Sequence, residues 1–210
     1  MGPSGEPGQP IDRRRRRREA KRAQIVAQAW KLARRDGLAA ISLRDVADGV
    51  DLQQPSLYAY FDSKLALYDA LFVDGYRQLL ARLEAHAFAD DPRAALVEFV
   101  ELLVAFSSED VVRHQLLFQR TLPGFKPSPE GRAVTRELLA VGRDRMITLG
   151  VVDEPTTDIF TALTAGLAHQ QVFNDPGGVR WIRAARPAVE MFLAEVDRRA
   201  TRRPATRRTR

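Results

Sequence analysis

The segment Ser42–Phe72, SLRDVADGVDLQQPSLYAYFDSKLALYDALF, constrains the fold of this chain more than any other part. Ser42 followed three residues later by Asp45 indicates a capped helix start, and a tight turn is predicted at 49–51. A second short helix is predicted at Gln54–Tyr60, with Pro55 in its first turn, where a missing N–H costs little. Two short helices joined by such a turn form a helix-turn-helix, whose inner face must pack on further helices.

Helical periodicity continues on both sides of this segment, and no alternating strand pattern is found, so we predict an all-α fold. A helix is expected at Glu19–Asp36, and a long helix capped by Asp62 or Ser63 is expected to run to about Phe88. The apolar positions of the long helix are Leu65, Tyr68, Leu71, Phe72, Leu79 and Leu83. Further helices are predicted at Pro92–Ser108, Val111–Arg120, Glu130–Leu149, Pro155–Phe173, Val179–Ala185 and Pro187–Ala200.

The positive charge is concentrated at the two ends of the chain. Residues 1–18 hold six arginines against two acids, a net +4, and residues 201–210 hold five arginines, a net +5. Since the whole chain carries +6, residues 19–200 carry −3. We expect a disordered basic arm at 1–18, a helix-turn-helix domain at 19–64, a helical body at 65–200 and a basic tail at 201–210.

The composition excludes several classes of protein. There is no cysteine, so disulfides, thiolate catalysis and cysteine-type zinc sites are excluded. No apolar run is long enough for a membrane span and the N-terminus lacks the apolar stretch of a signal peptide, so a cytoplasmic location is expected. The chain has three histidines, far apart, and no recognisable catalytic or nucleotide-binding motif, so neither an enzyme, a metal site nor a cofactor is expected.

A set of residues at fixed spacing resembles the TetR family of bacterial regulators over about residues 20–75. The matching positions are Val46-Ala47, Leu52, Leu57-Tyr58, Phe61, Lys64 and Leu67. The resemblance implies an N-terminal three-helix DNA-binding domain followed by a C-terminal helical domain for ligand binding and dimerisation. The family usually has glycine in the turn where this chain has Asp51, and a left-handed residue is easiest for glycine, although Asp is among the better substitutes.

The helix-turn-helix supplies candidate DNA contacts of two kinds. Arg44 can pair with guanine, Gln54 with adenine, and Pro55 can touch a thymine methyl group. The resemblance implies that Tyr60 meets a base and Tyr58 a phosphate, the alternative being that both pack between helices. For Arg44 the alternatives are a phosphate contact and a surface charge, and Ser56 could bond a base edge instead of a phosphate. The remaining expected phosphate contacts are Ser42, Ser56, Lys64 and the arginine run, including Arg17 and Arg18, which could also enter a narrow minor groove.

For the helical body, the resemblance implies a small-molecule pocket and a dimer interface. The candidate ligand contacts are Phe99, Phe106, His114, Phe118, Met146 and His169, and each of them could instead be plain core. The expected homodimer interface lies on the helices near 155–173 and 187–200, whose small and apolar residues could alternatively pack inside one subunit.

The sequence thus predicts a sequence-specific, DNA-binding transcriptional regulator. We expect a repressor that binds a double-stranded palindromic operator as a dimer and is released by an unidentified small-molecule effector. Two alternatives stay open, namely an activator of the same fold and a nucleic-acid binder that uses its arginine tails without reading sequence.

Overall fold

The computed structural model describes residues 10–119 and 121–202, in which the helices are joined by short loops and no strand is present. The prediction of an all-α fold is confirmed. The helices are α1 (Pro10–Asp36), α2 (Leu43–Asp48), α3 (Gln54–Leu57), α4 (Lys64–Ala85), α5 (Pro92–Glu109), α6 (Val111–Phe118), α7 (Pro129–Thr148), α8 (Glu154–Asn174) and α9 (Arg180–Arg202). None of these helices is both long and apolar enough to cross a membrane.

The described residues divide into two compact units. The N-terminal unit contains the chain up to Asp74 together with residues 121–131, and the helical body contains Gly75–Gln119 and the chain from Arg132 onwards. The sequence predicts a domain boundary after Lys64, which is the first residue of α4. The division between the two units instead lies within this helix, after Asp74. Helix α4 therefore contributes residues to both units.

Helix α1 begins at Pro10, nine residues before the predicted start at Glu19. The arginine run Arg13–Arg18 is therefore helical, and the expectation of a disordered arm at 1–18 is wrong from Pro10 onwards. Proline suits the first position of a helix and arginine is among the better helix formers, so local preference alone favours this extension. The rest of the expected arm, residues 1–9, and the basic tail from residue 203 lie outside the described residues.

The core of the N-terminal unit forms where the apolar stripe of α1 meets α2, α3 and the first half of α4. Its fully buried side chains include Ile25, Val46, Leu57 and Leu67. Leu65, expected on the inner face of the long helix, is instead 45% exposed. Of the two predicted caps of α4, Asp62 and Ser63, the structure shows Ser63, whose hydroxyl accepts the Ala66 N–H at 3.1 Å.

The helical body is built around α5, which packs against both α8 and α9. Helix α9 is continuous from Arg180 to Arg202 and contains Pro187. The prediction of two separate pieces at Val179–Ala185 and Pro187–Ala200 is therefore wrong. Proline removes one helical hydrogen bond, but the buried stripe Ala185, Val189 and Leu193 holds the helix on both sides of it.

Candidate DNA-binding site

The turn of the helix-turn-helix depends on one left-handed residue. Asp51 has φ 55° and is the only non-glycine residue with positive φ in the described part of the chain, as the departure from glycine suggested. The turn is closed by the Leu52 N–H, which donates to the Ala47 carbonyl at 2.9 Å. At the other end of α2 the predicted cap is present, because the Ser42 hydroxyl accepts the Asp45 N–H at 3.4 Å.

Helix α3, the second helix of the motif and the expected recognition helix, is shorter than predicted, with four helical residues instead of seven. From Tyr58 to Tyr60 the chain continues as tighter turns, in which the Tyr60 N–H donates to the Leu57 carbonyl at 2.9 Å. Two buried anchors, Leu57 and Phe61, are only 1% and 2% exposed. They hold the element to the core and fix which side of it faces outwards.

Most of the side chains predicted to meet DNA on this element are exposed on its outer side. Gln54, Pro55 and Ser56 are exposed, and Tyr58 is 45% exposed. Tyr60 is half-buried. The structure thus brings an amide, an apolar ring, a hydroxyl and a phenol together on one short surface, a combination that can contact base edges and phosphates.

Arg44 lies on the exposed side of α2. Its Nε is 3.9 Å from the Asp48 carboxylate, and both side chains are largely exposed. Such a surface pair contributes little stability, so exchanging Asp48 for a guanine or a phosphate costs little.

Three cationic side chains of the N-terminal unit donate to backbone carbonyls. The Lys64 ammonium is 2.8 Å from the Ala39 carbonyl, the Lys21 ammonium is 2.7 Å from the Val50 carbonyl, and the Arg18 guanidinium is 2.9 Å from the Ala59 carbonyl. An ammonium has three N–H donors, so Lys64 can hold this carbonyl and still reach a phosphate. Sequence reasoning missed Lys21, although it shares a helix face with Arg18 and the buried Ile25.

The other arginines of the run, Arg13–Arg17, are exposed along the first turns of α1. Arg15 lies 3.6 Å from Glu19 one turn later. A helix that presents this density of guanidinium groups creates a strong positive potential, which attracts polyanions whatever their sequence.

In the helical body, three of the predicted ligand residues come together at the ends of α6 and α8. The ring centre of His114 lies 5.4 Å from that of Phe118. The rings of His114 and His169 also lie against Phe173, edge-on and tilted respectively, with centre distances of 6.0 Å and 4.7 Å. His114 is 3% exposed and its Nδ1 has no hydrogen-bond partner. Burial, and to a smaller extent the charge of His169, lowers the pKa of His114 from 6.5 to about 4.

The other predicted ligand residues are parts of the core. Phe99, Phe106 and Met146 are buried. The Phe106 ring lies 3.6 Å from the guanidinium of Arg113, and the Phe99 ring lies 5.1 Å from that of Arg145. Among the described residues no group of three or more acidic or histidine side chains is arranged to hold a metal ion.

A groove runs along the outer side of α8 and α9, on the helices predicted to form a dimer interface. Several apolar residues of these two helices, including Leu167 and Leu193, are buried inside the subunit. The outward face is different, because Ile159 is 49% and Met191 is 75% exposed. The groove is lined by Thr156, Ile159, Leu163, Ala188, Met191, Phe192, Glu195, Val196 and Arg199.

The helix-turn-helix region matches a known protein family. Residues 25–71 match the family model described as "Bacterial regulatory proteins, tetR family". The HTH-type transcriptional regulator Rv1816 of Mycobacterium tuberculosis is 28% identical over 160 residues, which is 73% of this chain, and Mb1846 of Mycobacterium bovis matches equally well. The match spans 61% of the length of these relatives.

Solved structures share the fold of the chain. A TetR-family transcriptional regulator from Streptomyces coelicolor has a TM-score of 0.67 and 19% identity, covering 87% of this chain and 83% of that one. RolR in complex with resorcinol has a TM-score of 0.59 and 19% identity, covering 92% of this chain and 99% of RolR.

Proposed function

We propose that this chain, which belongs to the TetR family of DNA-binding transcriptional regulators, is a repressor that binds a palindromic operator as a dimer. A small molecule bound in the helical body would release it from the operator. The observation that carries the proposal is the exposed row Gln54, Pro55, Ser56 and Tyr58 on an element anchored by the buried Leu57. Base-reading groups on a rigid element are what sequence-specific recognition requires.

The groove on α8 and α9 supports the dimer. Ile159 and Met191 are large apolar side chains that face outwards, and Gly166 on α8 is exposed with open space where a side chain would be. Apolar side chains beside small residues suit close packing against the same surface of a second copy, as a two-fold interface requires. A short recognition helix reads few base pairs, and pairing would double the length of the site.

The aromatic cluster around His114 supports a small-molecule effector. It combines the exposed Phe118 and Phe173 rings with a buried imidazole nitrogen that lacks a partner. Apolar walls with a few polar groups are typical of small-molecule sites. RolR, which shares the fold, binds the phenolic compound resorcinol, and we propose that the effector here is also a small aromatic molecule.

Release would require the effector to bind better to the conformation that has low affinity for DNA. A ligand with equal affinity for both conformations shifts nothing, and by reciprocity the operator must weaken effector binding by the same factor. Helix α4, which contributes residues to both units, would carry the change.

Selection of binding sites from random duplexes with the purified protein tests the central claim. We expect a palindromic site, and Gln54→Ala should weaken binding to it by about 1–3 kcal/mol. The neighbouring Gln53→Ala is the matched control, because Gln53 is exposed but makes no side-chain cap of α3. Recovery of no common sequence, or equal losses for both variants, would favour a binder that uses its arginines without reading sequence.

The oligomeric state is tested by Met191→Glu in analytical ultracentrifugation. A charge at this position should give a monomer that loses affinity for the full palindrome but not for a half-site. Leu139→Glu is the control, because Leu139 is an exposed leucine on α7. A dimer that survives Met191→Glu would argue against this interface.

Transcription from a promoter that carries the selected site separates repressor from activator. A repressor lowers transcription in vitro, and a panel of small phenols should restore it if the effector is aromatic. An increase in transcription on addition of the protein would favour the activator instead.

A further inference from the structure

The inner face of α1 changes from apolar to basic towards its N-terminal half. In the second half of the helix this face carries the fully buried Ile25 and Ala29. At the preceding positions of the same face, spaced three and four residues apart, the chain has Arg18, Lys21 and Arg22. The helix therefore continues its contact face with cations where an apolar stripe would normally end.

Each of these cations contacts the helix-turn-helix. The Lys21 ammonium donates to the Val50 carbonyl at 2.7 Å, within the turn before α3. The Arg18 guanidinium donates to the Ala59 carbonyl at 2.9 Å, just after α3, and lies 6.0 Å from the centre of the Tyr60 ring. The Arg22 guanidinium lies 5.0 Å from the centre of the Phe61 ring. The two carbonyls lie before and after the recognition helix, so α1 holds it at both ends.

The recognition helix needs such external support because it is so short. It has one turn of helix, and Gln53 at its N-terminus makes no side-chain cap. A helix of this length is unstable by itself, and its orientation depends on the contacts at its ends. Hydrogen bonds from charged donors are stronger than neutral ones and have a defined geometry, particularly for the planar guanidinium.

We propose that Arg18 and Lys21 are positioning residues for operator recognition, which set the orientation of the recognition helix through the Ala59 and Val50 carbonyls. The proposal deepens and rests on the sequence-specific DNA binding proposed above. It gives Arg18 a different task from its neighbour Arg17, although both belong to one run of arginines.

The two tasks leave different signatures in DNA binding. A cation that contacts phosphate releases counterions, so its loss weakens binding to every sequence and lowers the slope of log affinity against log salt by about 0.9. A positioning residue acts on base contacts, so its loss weakens binding to the operator and leaves non-specific binding and the salt slope nearly unchanged.

The test compares Arg18→Met, Lys21→Met and Arg17→Met in the full chain, on the selected operator and on a scrambled duplex over a range of salt concentrations. Methionine keeps an unbranched apolar stem and removes the donor. We expect Arg18→Met and Lys21→Met to lose about tenfold on the operator and less than about twofold on the scrambled duplex. Arg17→Met should lose the same factor on both and reduce the salt slope by about 0.9.

Arg18→Lys supplies the rescue and thermal unfolding supplies the folding control. Lysine can still donate to the Ala59 carbonyl, so it should recover most of the lost operator affinity. If Arg18→Met behaves like Arg17→Met, or lowers only the melting temperature and keeps the ratio of operator to scrambled affinity, the proposal is overturned while the proposed function stands. A wild-type protein with no preference for any sequence overturns both.

Discussion

The two units of this protein hold their functional side chains in different ways. In the N-terminal unit, α2 and α3 have six and four residues, and the groups proposed to meet DNA are exposed. In the helical body, α5 and α8 have 18 and 21 residues, and polar groups such as His114 on α6 and Gln171 on α8 are buried. Short elements need specific bonds at their ends to stay in place, whereas long helices are fixed by apolar packing along their length.

Two arginines show the same contrast. Arg18 is exposed and reaches a carbonyl at the end of the recognition helix. Arg113 is buried, stacks on the Phe106 ring and donates to the Phe106 carbonyl at 2.8 Å. The first arrangement leaves the rest of the guanidinium open to solvent, whereas the second uses a cation as part of the core.

The largest effect is expected from the anchor of the recognition element. Leu57→Ala should lower the free energy of unfolding by about 2–5 kcal/mol, because it removes a fully buried side chain and leaves a cavity. Leu65→Ala is the control, since that leucine is 45% exposed and its loss should cost less than about 0.5 kcal/mol. Urea titrations followed by tryptophan fluorescence measure both. Similar losses for the two variants would contradict the assignment of Leu57 as an anchor.

A smaller loss of about 2–3 kcal/mol is expected for Gln171→Ala in the helical body. The fully buried Gln171 amide accepts the backbone N–H of Trp181 at 2.9 Å and donates to the Gly178 carbonyl at 3.1 Å, so it fixes the start of α9. Its removal leaves these groups without partners. Gln170→Ala removes only a contact with the exposed Asn174 and should be nearly neutral. Equal melting temperatures for the two variants would show that the cap does not stabilise α9.

The effect of His114 should be visible only below neutral pH. Because burial lowers its pKa from 6.5 to about 4, the unfolded chain binds more protons than the folded protein between these two values. The stability that the neutral ring provides is complete above about pH 6.5 and is lost as the pH falls towards 4. Melting temperatures between about pH 7.5 and pH 4 should fall more steeply for the wild type than for His114→Gln. Parallel curves would mean that the imidazole is not protected from protonation.

The smallest effect is expected at the turn. Asp51→Gly should change the free energy of unfolding by less than about 1 kcal/mol, because the relief of a left-handed residue opposes the greater entropy of glycine in the unfolded chain. Asp51→Val keeps the φ of 55° but places a β-branched residue there, which should cost about 1–2 kcal/mol or more. If valine were tolerated as well as glycine, the turn would not require a left-handed residue.

Sequence reasoning located the helix-turn-helix better than the candidate ligand site. Ser42, Asp51 and the buried Leu57 could be recognised because capping, turn conformation and helical spacing involve residues that are close in sequence. For the ligand site, an aromatic or histidine residue on an apolar helix face gives the same sequence pattern whether its side chain is buried in the core or accessible to a ligand. Phe99 and Met146 turned out to be core, whereas Phe118 and His169 are exposed, and only the tertiary packing of the helices separates these cases.

The sequence by itself determined the helical class, the position of the helix-turn-helix and the left-handed turn residue, since all three depend on the chemistry of neighbouring residues. The tertiary structure decided what the cations of α1 contact, because Arg18 and Lys21 lie 41 and 29 residues from the carbonyls they hold. It also decided that α9 continues through Pro187, because burial of Ala185 and Val189 on either side outweighs one lost hydrogen bond. Contacts between distant parts of a chain have no signature in the local pattern, and the orientation of the recognition helix depends on such contacts.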